Sequence, residues 1–117
     1  MIAHGSLVYA RKVITVKSLF ARMKGLLGRK SLGPETAMVI DPCASIHTLG
    51  MRFPIDVIFL DANNTITAIA SSVRPGRLWV SGGWKARRVI ESEAGLLPLS
   101  SLHVGDTLTV DGCDFVS

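Results

Sequence analysis

Apolar residues along this chain alternate with polar ones, or form short continuous runs, in patterns typical of β-strands. "SLVYARKVITV" (6–16) predicts one long strand or a strand hairpin, and "AMVI" (37–40) predicts a short buried strand. "IDVIFLD" (55–61) and "TITAIAS" (65–71) flank an asparagine-rich turn and predict a hairpin, because asparagine accepts turn conformations easily. "TLTVDG" (107–112) predicts a last strand.

One segment has a helical period instead. The apolar residues from Leu19 to Leu27 recur on one face of a helix, Ser18 can cap its start and Gly28 can end it. The pattern therefore predicts one principal helix over about 18–28. A short second helical turn is predicted within "AGLLPLSSLHVGD" (94–106).

The segment "ARRVIESEAG" (86–95) fits either a strand or a helix. We favour a strand, because the segment follows a Gly-Gly break and ends at Gly95. The whole pattern indicates a mostly β (α+β) fold: a small curled sheet or partly open β-barrel with one principal helix. At 117 residues the chain fits a single domain, 1–117.

Composition narrows the possible functions. Hydrophobic residues make up 48% of the chain, but no apolar run approaches the roughly 20 residues that span a bilayer. No secretory signal is evident, which predicts a cytoplasmic location. The net charge is +4, and residues 1–30 contain seven cations and no acidic residue. This basic segment either attracts anionic partners or is only a solvated face. Nucleic acid is not favoured as the partner, because the segment has no zinc-finger motif and lacks the interleaved aromatic residues of a single-strand binder.

Reactive side chains concentrate in "CASIHTLGMRFPIDVIFLD" (43–61). His47 could act as a general base oriented by Asp56, with Cys43 as a nucleophile. The simpler interpretation is that Asp56 accepts backbone N–H groups or bridges to Arg22 or Arg52.

Soft donors recur in the same stretch at intervals of four, at Cys43, His47 and Met51, a set that would suit Cu(I). Pro42 and Gly50 argue against a regular element there, so no metal and no cofactor is predicted. The two cysteines, Cys43 and Cys113, are expected to be reduced, although a disulfide between them stays open.

A second candidate segment is "RPGRLWVSGGWKARR" (74–88), which mixes tryptophans with cations. Flat apolar rings beside positive charges suit an anionic or carbohydrate-like ligand, so Arg77, Trp79 and Trp84 are candidate ligand-binding residues together with Arg22 and Arg52. The alternative is that one tryptophan plugs the barrel, the other covers a sheet edge, and the arginines stay in water. Neither a P-loop nor a dinucleotide-binding glycine motif is present.

Five stretches in this order resemble domain-of-unknown-function family 192, a widespread prokaryotic family: "ARMKGLLGR", "AMVIDP", "SIHTLGMRFPIDVIFLD", "RRVIESEAG" and "VGDTL". The resemblance covers roughly residues 8–110. It implies a compact β-rich fold and no established reaction, substrate or cofactor. It also implies that His47 is specific to one branch, since other relatives carry tryptophan there. The matches expected in both branches are Arg22, Gly25, Pro54, Asp56, Gly95 and Asp106.

Two functions follow as expectations. The first is a binding or accessory module with a cleft near residues 43–56 and 74–88. The second is a small hydrolase-like enzyme that uses His47 with Asp56 and Cys43. Whether the chain catalyses a reaction is left open by the sequence.

Overall fold

A computed structural model describes residues 1–16 and 35–110 in full and the backbone of a strand at Cys113–Val116. This part of the chain is mostly β. Its strands are β1 (Ile2–His4), β2 (Leu7–Ala10), β3 (Lys12–Val16), β4 (Thr36–Ile40), β5 (Ser45–Ile46), β6 (Ile55–Leu60), β7 (Ile66–Val73), β8 (Val80–Ser81), β9 (Arg88–Glu93), β10 (Thr109–Val110) and β11 (Cys113–Val116). A 3-10 turn, Leu99–Ser101, is the short helical turn that the sequence predicts.

The strands form three sheets. A six-stranded mixed sheet has the order β11-β3-β4-β9-β6-β7, in which β11, β3 and β4 are parallel and the remaining neighbours are antiparallel. A three-stranded sheet has the order β10-β1-β2, and β5 pairs with β8 in a separate two-stranded sheet. Within the described strands the large sheet is open, with β11 and β7 as its edges.

The large sheet is buried on both faces, which explains the continuous apolar run of β6. Ile55, Val57 and Phe59 belong to a first core cluster, whereas Ile58 and Leu60 belong to a second. Successive side chains of a strand point to opposite faces, so each cluster takes alternate residues. A strand with apolar residues at both parities is what a sheet covered on two sides requires.

Different segments cover the two faces. The first cluster is completed by Ile46 of β5, Val80 of β8, and Met51 and Phe53 of the loop between β5 and β6. The second is completed by residues of β1 and β2 and by three leucines of the chain after β9: Leu97, Leu102 and Leu108. The two sequence segments with candidate chemistry, 43–56 and 74–88, therefore contribute to the first face.

Most predicted strands are confirmed. The hairpin is formed by β6 and β7, and the ambiguous segment 86–95 contains strand β9. The interpretation of 6–16 as one strand or one hairpin is wrong, because β2 pairs with β1 whereas β3 pairs with β4. The break falls at Arg11, where the N–H groups of Arg11 and Lys12 both donate to the Glu35 carbonyl, 3.0 Å away, and the chain changes sheet.

The predicted principal helix, 18–28, lies outside the described residues, as does Arg22. In the part of the chain that is described, no helix has the length and apolarity needed to cross a membrane.

Candidate ligand-binding surface

The two candidate segments are hydrogen-bonded to each other along their length. Ser45 pairs with Ser81 and Ile46 with Val80, which joins β5 to β8. The Gly82 N–H donates to the Ala44 carbonyl at 2.9 Å, continuing the pairing beyond the strands. We call residues 43–48 and 76–87 the ribbon.

Thr48 fixes one end of the ribbon. Its side chain is fully buried, and its hydroxyl donates to the Arg74 carbonyl at 2.6 Å and accepts from the Arg77 N–H at 2.8 Å. Its backbone N–H donates to the Arg77 carbonyl and its carbonyl accepts from the Gly76 N–H, both at 2.9 Å. One residue thus satisfies four backbone groups of the facing turn, which leaves that turn little conformational freedom.

Two glycines fix the other end. A β-carbon on Gly82 would lie 2.2 Å from Cγ of the buried Phe59 ring, so only glycine allows the backbone to lie against that ring. The Thr67 hydroxyl donates to the Gly82 carbonyl at 2.9 Å. Gly83 has a φ of 91°, a conformation that favours glycine, and the chain turns there toward Trp84.

Both tryptophans face solvent. Trp79 is 67% exposed and Trp84 is 89% exposed, and Leu78 beside them is 75% exposed. The expectation that one tryptophan plugs a barrel is therefore wrong, because the core beneath the ribbon is filled by Phe59, Val80 and other residues of the first cluster. The Lys85 ammonium lies 5.0 Å from the centre of the Trp84 ring, within the range of a cation–π contact.

The surroundings of the tryptophans are cationic. Four cations are exposed here: Arg74, Arg77, Lys85 and Arg87. The sequence contains no acidic residue between Asp61 and Glu91. Arg88 is the exception among the cations of this segment, since its guanidinium forms an ion pair with Asp41 at 3.2 Å and a hydrogen bond to Asn64.

A groove of about 360 Å³ lies beside Trp84. Polar and apolar residues line it, among them Asp61, Thr65, Thr67, Gly83, Lys85 and Val104. One oxygen of the Asp61 carboxylate, Oδ1, accepts from the N–H groups of Asn63 and Thr65 at 2.8 and 3.0 Å. The Trp84 indole and the Lys85 ammonium are exposed side chains at this groove.

Asp56, the predicted partner of His47, is held by backbone donors. Asp56 is buried, and its two oxygens accept from the N–H groups of Ser72 at 2.8 Å and Gly95 at 3.1 Å. By alternation along β6, Asp56 points to the face of the second cluster, whereas Ile46, next to His47, packs in the first. The simpler interpretation, that Asp56 accepts backbone N–H groups, is confirmed.

His47 itself is half-buried. Its Nδ1 atom is buried and has no hydrogen-bond partner among the described residues. A general base needs a partner that fixes its tautomer and ring orientation, and the geometry supplies none to Nδ1.

Cys43 and Met51 both contribute to the first cluster, Met51 as a buried member and Cys43 packed against it. The Cys43 thiol donates to the Ser45 carbonyl at 3.0 Å. No group of three or more His, Cys, Asp or Glu side chains that could hold a metal occurs in the described parts of the chain. The side chain of Cys113 lies outside those parts, so the expectation that both cysteines are reduced stays a prediction.

The two polar residues with no exposed surface in the described part of the chain, Thr48 and Glu91, were missed by the sequence reasoning. Thr48 has the same parity as the core residue Ile46, and Glu91 has the same parity as Val89. Both Thr48 and Glu91 are fully buried, and Glu91 lies between Met38 of β4 and Val57 of β6 in the sheet register. The parity of each residue relative to its apolar neighbour is the signal that could have found them.

Comparison with known proteins gives the family. The model of domain-of-unknown-function family 192, described as "Uncharacterized ACR", matches residues 3–110. The chain belongs to this family. The resemblance noted from the five sequence stretches is therefore confirmed.

Curated relatives of this chain include a UPF0127 protein of Thermococcus sibiricus. The two are 28% identical, and the match covers 86% of this chain and 67% of the relative. A UPF0127 protein of Pyrococcus furiosus is 37% identical over 56% of this chain and 54% of the relative, so the match spans about half the length of that relative. A crystal structure of a protein of unknown function from Novosphingobium aromaticivorans superposes with a TM-score of 0.72. It is 22% identical and aligns over 84% of this chain and 74% of its own, which establishes a shared fold.

Several positions expected throughout family 192 have structural roles. The Pro54 carbonyl accepts from the Ala94 N–H at 3.1 Å, next to the hydrogen bond between Asp56 and Gly95. Gly95 has a φ of 83°, and Asp106 accepts from the His103 N–H at 2.9 Å through its side chain. Pro54, Asp56, Gly95 and Asp106 thus all take part in the backbone hydrogen bonds or turns of this fold.

Proposed function

We propose that this chain is a binding module that holds an anionic ligand on the exposed surface of the ribbon. The observation that carries the proposal is the pair of solvent-facing indoles, Trp79 and Trp84, among exposed cations on a backbone held by hydrogen bonds. Tryptophan is enriched where proteins bind, because its ring is apolar and its N–H is polar, and exposed apolar surface among polar residues marks interaction sites.

Charge favours an anionic ligand over a neutral one. Arg74, Arg77 and Arg87 are exposed, and their segment contains no carboxylate that would repel an anion. An arginine guanidinium binds phosphate, sulfate or carboxylate groups through paired hydrogen bonds. The sequence-based candidates Arg22 and Arg52 stay predictions: Arg22 lies outside the described residues, and Arg52 is exposed in the loop before Phe53.

A binding screen on the full chain tests the proposal. Calorimetry against heparin, a nucleoside triphosphate, a short single-stranded DNA and a neutral oligosaccharide should give binding for at least one anion, and binding should weaken as salt rises. The Arg77→Gln and Trp79→Ala variants should each weaken that binding. Arg11→Gln with Lys12→Gln removes two exposed cations elsewhere and should leave it unchanged. The proposal would be contradicted if no anion bound, or if the neutral oligosaccharide alone bound.

A further inference from the structure

We infer that the ligand of the ribbon is an anionic membrane surface, which the protein binds peripherally through one end of the ribbon. This inference rests on the proposed function and names its ligand. In this arrangement Leu49, Leu78 and Trp79 enter the interfacial layer of the bilayer, and Arg74 and Arg77 contact the negative head groups. We call Leu49, Leu78 and Trp79 the apolar tip.

The apolar tip is assembled by the hydrogen bonds of Thr48. Leu49 directly follows Thr48 and Leu78 directly follows Arg77, and the Thr48 N–H donates to the Arg77 carbonyl at 2.9 Å. The two leucines therefore leave the backbone from adjacent points. Leu49 is 44% exposed and Leu78 is 75% exposed, and Trp79 continues from Leu78. All three residues of the apolar tip thus lie on two backbone segments joined by hydrogen bonds, and exposed apolar surface of this kind marks interaction sites, membrane-binding surfaces among them.

The chemistry of the apolar tip favours lipid over the other anions. A leucine side chain has no ring to stack on a base or a sugar, and it has no polar atom to bind one. Tryptophan concentrates at the boundary between hydrocarbon and head groups, where its ring has an apolar body and a polar N–H. Aliphatic side chains beside an indole thus fit a bilayer interface better than a nucleic acid or a saccharide.

The charges next to the apolar tip complement anionic head groups. Arg74 and Arg77 flank the Pro75-Gly76 turn, which faces Thr48, and both are exposed. In the described part of the chain, their side chains form no ion pair or hydrogen bond. The segment 42–55 contains no acidic residue, so both segments that carry the apolar tip lack repelling charge. Each arginine near an anionic membrane adds to the binding free energy.

The ordered backbone that carries the apolar tip reduces the entropy cost of docking. Thr48 is fully buried and holds the turn through its hydroxyl and its backbone, while Ile46 and Val80 anchor the ribbon in the first cluster. A surface that is ordered before binding loses less conformational entropy when it binds.

Vesicle flotation with the full chain tests the inference. The protein should float with vesicles of phosphatidylcholine and phosphatidylglycerol, and it should stay behind with phosphatidylcholine alone. Arg74→Gln with Arg77→Gln should reduce the affinity about 30-fold. Leu78→Ser should reduce it at least about tenfold. Two matched controls should bind as the parent does: Arg11→Gln with Lys12→Gln for charge, and Leu96→Ser for an exposed leucine elsewhere.

Trp79 reports insertion directly. In a Trp84→Phe variant Trp79 is the single indole, so its emission should shift to shorter wavelength when anionic vesicles are added, and acrylamide should quench it less. Circular dichroism of each variant confirms that it is folded. An unshifted emission with bound vesicles, or full affinity in Leu78→Ser, would overturn insertion of the apolar tip.

The outcomes separate this inference from the proposed function. Binding of heparin, nucleotide or DNA without binding of anionic vesicles would overturn the membrane inference and leave the proposed function intact. Absence of binding to vesicles and to every soluble anion would overturn both.

Discussion

Asp56 connects three elements through one buried carboxylate. It lies on β6, and it accepts from Ser72 near the end of β7 and from Gly95 just after β9. Ser72 and Gly95 have φ values of 52° and 83°, so both N–H groups point away from the regular sheet ladder. The carboxylate satisfies donors that these backbone conformations leave without a strand partner, which is an architectural role.

The Asp56→Asn substitution should lower the free energy of unfolding by about 2 kcal/mol, because one accepting oxygen becomes an NH2 group that faces a backbone N–H. Urea denaturation followed by circular dichroism measures the change. Asp61→Asn is the matched control: Asp61 accepts both of its recorded hydrogen bonds through Oδ1 alone, and the amide retains that oxygen. Equal losses in the two variants would contradict the assigned role of Asp56.

Among the elements, the ribbon is the feature that the sequence does not predict. The β6–β7 hairpin is predictable, because its strands are long and adjacent and its turn residues lie between them. β5 and β8 have two residues each and pair across a long stretch of chain. Strands this short carry no periodicity, so their pairing depends on tertiary contacts such as those of Thr48.

Replacing Thr48 tests how the ribbon is held. Thr48→Val keeps the shape of the side chain but removes its hydroxyl, which leaves the Arg77 N–H and the Arg74 carbonyl without a partner. We expect the free energy of unfolding to fall by about 2 kcal/mol. Amide exchange at Arg77 should accelerate more than exchange in β6. Thr48→Ser retains the hydroxyl and should protect the Arg77 amide nearly as well as threonine does, so fast exchange in the serine variant would disprove the hydroxyl's role.

At the scale of the whole molecule, the apolar sequence of β6 indicates a sheet that is buried on both faces. The sequence does not indicate which side chains are exposed on the surface. The run from Val57 to Leu60 is apolar at every position, as a doubly covered strand requires. For Trp79 and Trp84 the sequence leaves two interpretations, exposed binding residues or rings packed in the core and over a sheet edge, because composition alone does not say which side of the ribbon a ring takes. Gly82 lies so close to Phe59 that a β-carbon at this position would clash with the ring.

Since the two clusters share one sheet, they should unfold together. Val57 and Ile58 are neighbours on β6 that face opposite clusters. Val57→Ala and Ile58→Ala should each lower the free energy of unfolding by about 2 kcal/mol or more through the cavity they leave. If unfolding is cooperative, Val57→Ala should accelerate amide exchange in β1 and β2, on the other side of the sheet, as much as in the ribbon. Ser100→Ala, an exposed change, should alter neither. Acceleration confined to the ribbon in Val57→Ala would show that the faces open independently.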